Sequence, residues 1–170
     1  MHSLFQRAEG TPESEPKPDP FYDVWTDGSS TGKVGPGGWA AIILKEDEVL
    51  AEHSGNEYET TNNRMEVQAA CIALEALPEK SFVRVHSDSS YLINPMRRHW
   101  VKKWRRNGWL TWEGLPVENR DLWMRLDNAV LRHYRVDWKK VKGHSGVEYN
   151  ERADKLAKAA RKQVILEDDV

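Results

Sequence analysis

The 170-residue chain contains one cysteine, Cys71, so no disulfide can form within it and nothing in the sequence points to an oxidising compartment. No apolar run approaches the ~20 residues that a membrane-spanning helix needs. The first residues, MHSLFQRAEG, lack the apolar centre of a signal peptide, and Glu9, Glu13, Glu15 and Asp19 are foreign to an acid-poor transit peptide. A disulfide-stapled secreted scaffold and a helical membrane protein are excluded, and a cytoplasmic location is the expectation. At 39% hydrophobic and 31% charged, the composition is that of an ordinary globular protein, and the length fits one domain.

Charge is nearly balanced overall, with a formal net of −2, but it is unevenly placed. Arg97, Arg98, Lys102, Lys103, Arg105 and Arg106 lie together with no acid among them. Setting those six aside leaves 19 basic residues against 27 acidic ones, a net of −8. A basic patch on an acidic body marks where a polyanion docks. Proline is also clustered: Pro12, Pro16, Pro18 and Pro20 stand in one short acidic stretch, so residues 1–20 read as a solvated tail. The acidic last residues, 164–170, are expected to be a loose end, leaving 21–163 as the folded domain.

Phe21 to Thr26 reads as a strand, and DGSSTGKVGPGG supplies turn chemistry through its glycines. WAAIIL and VLAEHSGNEYE follow as strands separated by a charged turn, which makes an antiparallel meander. Met65, Ala69, Ile72 and Ala76 recur at helical spacing beside a second row, Ala70, Ala73 and Leu77, so residues 63–77 form a helix that Pro78 closes. SFVRVHS is a strand. Residues 89–104 read as broken helix, with Pro95 ending or kinking one piece. Residues 107–117 are a loop, 118–133 a helix, YRVDWKKV a strand, and a last helix starts near Glu148. Three strands followed by strands alternating with helices predict an α/β fold with a mixed sheet and helices on its faces.

In that layout Asp27 ends the first strand and Asp88 follows the fourth, at the strand ends where open α/β sheets carry their sites. Glu66 and Asp154 sit at the edges of buried helix faces. A buried carboxylate is costly unless a cation compensates, and acids without Cys or His at ligand spacing favour Mg²⁺ or Mn²⁺ over zinc. Taken singly, each acid has a structural alternative: Asp27 as a turn residue, Asp88 as a helix cap, Glu66 and Asp154 as solvent-facing groups. Convergence of the four is what separates the two explanations.

TDGSS at 26–30, TTNNRMEVQAA at 60–70, SDSSYL at 87–92 and KGHSGVEYNERADKLA at 142–157 resemble the four catalytic blocks of the type 1 ribonucleases H. WVKKWRRNGW and LPVENRDLW resemble the basic protrusion, about residues 96–112, and the helix after it. The resemblance implies the ribonuclease H-like fold, a five-stranded mixed sheet with three antiparallel and then parallel strands. It implies that Asp27, Glu66, Asp88 and Asp154 converge to hold two Mg²⁺ ions, with Mn²⁺ a possible substitute. His144, between Gly143 and Gly146, is implied as an auxiliary group that relays a proton. The activity implied is cleavage of the RNA strand of an RNA–DNA hybrid, leaving 5′-phosphate and 3′-hydroxyl ends.

Hybrid recognition requires contacts to 2′-hydroxyls on one strand and to phosphates on the other. Gly28, Asn62 and Asn63 match family positions that contact the RNA, although Thr61, Asn62 and Asn63 also suit a helix cap. Trp100, Lys102, Lys103, Trp104, Arg105 and Arg106 are expected along the DNA strand, with one or two of the tryptophans anchoring the protrusion; Trp109 and Trp112 stay unassigned. Two positions depart from the family pattern: Lys33 and Val34 replace asparagine and proline, and Ser90 replaces glutamine. Lys33 offers a phosphate contact, and Ser90 shortens one. A DNA-directed nuclease of the same fold and a non-catalytic nucleic-acid-binding module are the alternatives, and a monomer is expected.

Overall fold

The protein is described by a computed structural model that covers residues 20–143 and 147–168, with side chains through Val164. Five strands form one sheet in the order β3-β2-β1-β4-β5. Strands β1 (Tyr22–Ser30), β2 (Gly35–Lys45) and β3 (Glu48–Thr60) make the antiparallel meander, and β4 (Phe82–Ser87) and β5 (Arg135–Lys140) add in parallel. The predicted α/β mixed sheet is therefore present, with three antiparallel strands and two parallel additions. The tight β2–β3 connection uses Glu46 and Asp47, both at positive φ, a geometry that matches the twist of a hairpin.

Helix α1 (Asn62–Ala76) packs on β1 and β2, and α4 (Arg120–Leu131) packs on α1. Their shared core contains Val24, Val67, Leu74, Val83, Val85, Trp123 and Leu126, all at 0–1% exposure. Each such side chain contributes about 1.5–3 kcal/mol by leaving water. Helix α5 (Glu148–Asp168) covers the opposite face of β1, β2 and β3, where Ile42, Leu44 and Ala153 form a smaller core. Among the described residues, no helix is long and apolar enough to cross a membrane.

Three local expectations change. The glycine-rich DGSSTGKVGPGG is mostly strand: Ser29 and Ser30 pair with Gly38 and Gly37, and only Thr31–Val34 bend. Gly38 is there for packing, because a Cβ would collide with the Ala157 carbonyl and stand 2.6 Å from the Arg161 nitrogen on α5. Pro95 does not end its helix. It is buried within α2 (Ser90–Arg97), and the chain breaks at His99, at φ 60°, before α3 (Trp100–Asn107) begins. Finally, the expected loose end at 164–170 is helical as far as Asp168, and Val164 is buried against the domain.

Candidate active site

Asp27 sits on β1 where its parallel pairing with β4 has ended, and Asp88 directly follows β4, so the register of two central strands brings these two carboxylates to one end of the sheet. Glu66 comes from the second turn of α1. That helix reaches β1 because residue 28 has no side chain: a Cβ there would lie 2.6 Å from the Met65 carbonyl carbon and collide with the Glu66 amide. The oxygens of Asp27, Glu66 and Asp88 lie within 4.8 Å of one another. Asp154, on α5, is within hydrogen-bond reach of Asp27 and pairs with Lys158 one turn away, at 2.9 Å. The fourth acid therefore adjoins the cluster of three.

Electrostatics follow from the crowding. Asp27 and Glu66 are each only 4% exposed. Burial first, and then the charge of Asp88 and contact with Asp154, push the Asp27 carboxyl up to about 7. Burial and the neighbouring Asp27 and Asp88 push Glu66 well above the ordinary carboxylate range. The Glu66 Oε2 atom is buried without a hydrogen-bond partner. Negative charge so concentrated, with an oxygen lone pair left unsatisfied, fits a divalent cation, and an all-oxygen donor set suits Mg²⁺ or Mn²⁺. For three of the acids the single-residue explanations fail: Asp27 is in a strand, Glu66 is buried, and the cap of α2 is Ser89, whose Oγ accepts from Leu92 N at 3.2 Å.

Two supporting residues escaped the sequence reading. Asn150 is 3% exposed and its Nδ2 faces Asp88 Oδ2 at 3.5 Å. Its signal was its place one helical turn before Asp154. Gly143 leaves room for Asp88, since a Cβ there would stand 2.8 Å from Oδ2. His144 lies outside the described residues.

Around the acids, the expected nucleic-acid contacts sort into distinct places. Thr61 caps α1, its Oγ1 accepting from Arg64 N at 3.2 Å, and in the first turn of this helix, which carries Glu66, Asn62 is exposed and Asn63 half-buried. Lys33 is exposed in the β1–β2 bend. Ser90, Asn94, Trp100, Trp104, Thr111 and Trp123 line a groove of about 520 Å³. Trp104 is also an anchor, meeting Trp123 edge-on at 5.6 Å and Trp109 at 6.5 Å. Lys102 and Arg105 instead line a separate groove with Arg97, His99 and Lys139, and Arg105 pairs with the buried Asp127 at 3.2 Å. Lys103 and Arg106 stay exposed.

Comparison with known proteins agrees with this geometry. The family model for RNase H matches residues 20–162. The chain is 50% identical over 137 residues to a ribonuclease H of Moorella thermoacetica, covering 81% of this chain and 89% of that one. It is 51% identical over 135 residues to a ribonuclease H of Phenylobacterium zucineum, covering 79% and 86%. Among solved structures, LC9-RNase H1, a type 1 RNase H with the type 2 active-site motif, superposes with a TM-score of 0.75 at 30% identity, over 87% of this chain and 75% of that one. LC11-RNase H1 in complex with an RNA/DNA hybrid superposes at 0.65 and 22% identity, over 85% and 99%, a likeness of fold. With its acids converging on the sheet end that the sequence blocks foretold, the chain belongs to the ribonuclease H family.

Proposed function

We propose that the protein hydrolyses the RNA strand of RNA–DNA hybrids, leaving 5′-phosphate and 3′-hydroxyl ends, with two Mg²⁺ ions as cofactors and Mn²⁺ able to substitute. The observation that carries this is the buried convergence of Asp27, Glu66 and Asp88, with Asp154 against Asp27, in a chain of the ribonuclease H family. Such ions, when bound, supply an activated water and stabilise the leaving oxygen of a phosphodiester. Asp27 is the central ligand, since it interacts with Asp88 and Asp154 and lies against Glu66. Asn150 orients Asp88, and Gly28 holds α1 close enough for Glu66 to take part. His144 is assigned the role of auxiliary proton relay.

The RNA strand is read by Gly28, Asn62 and Asn63, whose amides both donate to and accept from 2′-hydroxyls. The DNA strand follows the groove of Ser90, Trp100 and Trp104, with Lys33, Lys103 and Arg106 neutralising phosphates. Lys102 and Arg105 contribute longer-range attraction from the neighbouring groove. A related fold, that of LC11-RNase H1, holds an RNA/DNA hybrid. The protein acts as a cytoplasmic monomer.

Cleavage of labelled RNA–DNA, RNA–RNA and DNA–DNA duplexes, each with Mg²⁺ and with EDTA, tests this function. Metal-dependent cutting of the RNA strand in the hybrid alone is expected. Cutting of DNA would make the protein a DNA-directed nuclease of the same fold, and binding in EDTA with no cutting under any condition would make it a non-catalytic module.

A further inference from the structure

Trp112 is 93% exposed, against 38% for Trp100. A large aromatic left in water marks a surface that meets something. The loop that carries it is closely tied. Asn107 brackets Leu110, accepting from its N–H at 3.2 Å and donating to its carbonyl at 3.0 Å. Thr111 N donates to Leu115 O at 2.7 Å, Gly114 N to Thr111 O at 2.9 Å, and Leu115 N to Thr111 Oγ1 at 3.2 Å. Gly114 at φ 79° completes the turn, and Leu110 bridges to Pro116. The backbone therefore presents Trp112 from a fixed tip.

Its position indicates the ligand. Thr111, the adjoining residue, lines the same groove as Trp100 and Trp104, and α3, with exposed Lys103 and Arg106, ends just before the loop. Lys103, Arg106 and Trp112 are thus exposed cations and an exposed indole close in sequence to residues that line the groove. Bases within a duplex are already stacked on one another, whereas an unpaired base has a face to offer, and every base has one. We infer that Trp112 stacks on an unpaired base of the DNA strand where that strand runs out of the hybrid, so the protein favours hybrids flanked by single-stranded DNA. The inference rests on the hybrid assignment above and adds a specificity determinant to it.

Binding in EDTA of a blunt hybrid, and of the same hybrid carrying a DNA overhang at one end or the other, tests it by fluorescence anisotropy. In the wild type, one overhang is expected to tighten binding by about tenfold, the scale of one base–aromatic stack. Trp112→Ala should abolish that gain, and Trp112→Phe should keep most of it. At 93% exposure neither change removes core packing, which an unaltered Tm verifies. An overhang gain that survives in Trp112→Ala, or no gain in the wild type, overturns the inference. A wild type that binds no hybrid of any kind overturns the hybrid assignment instead.

Discussion

Asp27 shows what burial among other acids does to one carboxyl. Its carboxyl is held near 7 rather than at its ordinary 3.8, so in metal-free protein it keeps its proton over a range where the unfolded chain has lost it. The native state then binds more protons than the unfolded state between about 4 and 7. The associated stability is present in full below that window and is lost as pH rises through it. In EDTA, Asp27→Asn should therefore raise Tm more at pH 8 than at pH 5, as thermal unfolding at the two pH values will show. Mg²⁺ should raise the wild-type Tm at pH 8 and do less for the variant, because a ligand that binds only the folded state stabilises it by mass action. In activity, Asp27→Asn should lower kcat by about a thousandfold or more while hybrid affinity in EDTA persists, since the change removes charge without shape. Surviving turnover would mean that Asp27 is not the central ligand.

At the scale of elements, the decisive contact is that of α1 with β1. Gly28 permits it, and Gly28→Ala would press a methyl group into the Met65 backbone. Backbone cannot rotate aside as a side-chain tip can, so about 1–3 kcal/mol of stability should be lost in urea unfolding, and Glu66 should be displaced from the acids. The periodicity of Met65, Ala69 and Ile72 made this helix legible, and runs rich in apolar and β-branched residues between turn signals did the same for the strands. The glycines of β2 were misread as a turn, because a glycine required by close packing and one required by a bend look alike in one dimension. Pro95 was misread for a related reason. It costs α2 a single hydrogen bond, and the buried contacts of Leu92 and Ile93 hold the helix together past it.

For the molecule as a whole, charge is partitioned around α3. The six basic residues of the protrusion fall between Arg97 and Arg106 in sequence but do not share a face. Arg105 is bound to Asp127, whose carboxyl is pushed up by burial and pulled back by the guanidinium. Lys103→Ala and Arg106→Ala should each weaken hybrid binding and lower the slope of log K against log salt by about 1. Arg105→Ala should change that slope less and cost stability, because it leaves Asp127, 6% exposed, without its partner. Equal slopes for all three variants, measured over a salt titration, would contradict this division.

The order of strands and helices, the family resemblance and the clustered acids Asp27, Glu66 and Asp88 were all present in the linear sequence, because hydrophobic period and local motif are properties of neighbours along the chain. Only the tertiary structure decided that Asn150 faces Asp88, that Glu66 keeps a buried oxygen unsatisfied, that Arg105 is occupied by Asp127, and that Trp112 stands alone in solvent. Each of these depends on which side of a helix or loop meets another element distant in sequence, and that is settled by packing in three dimensions.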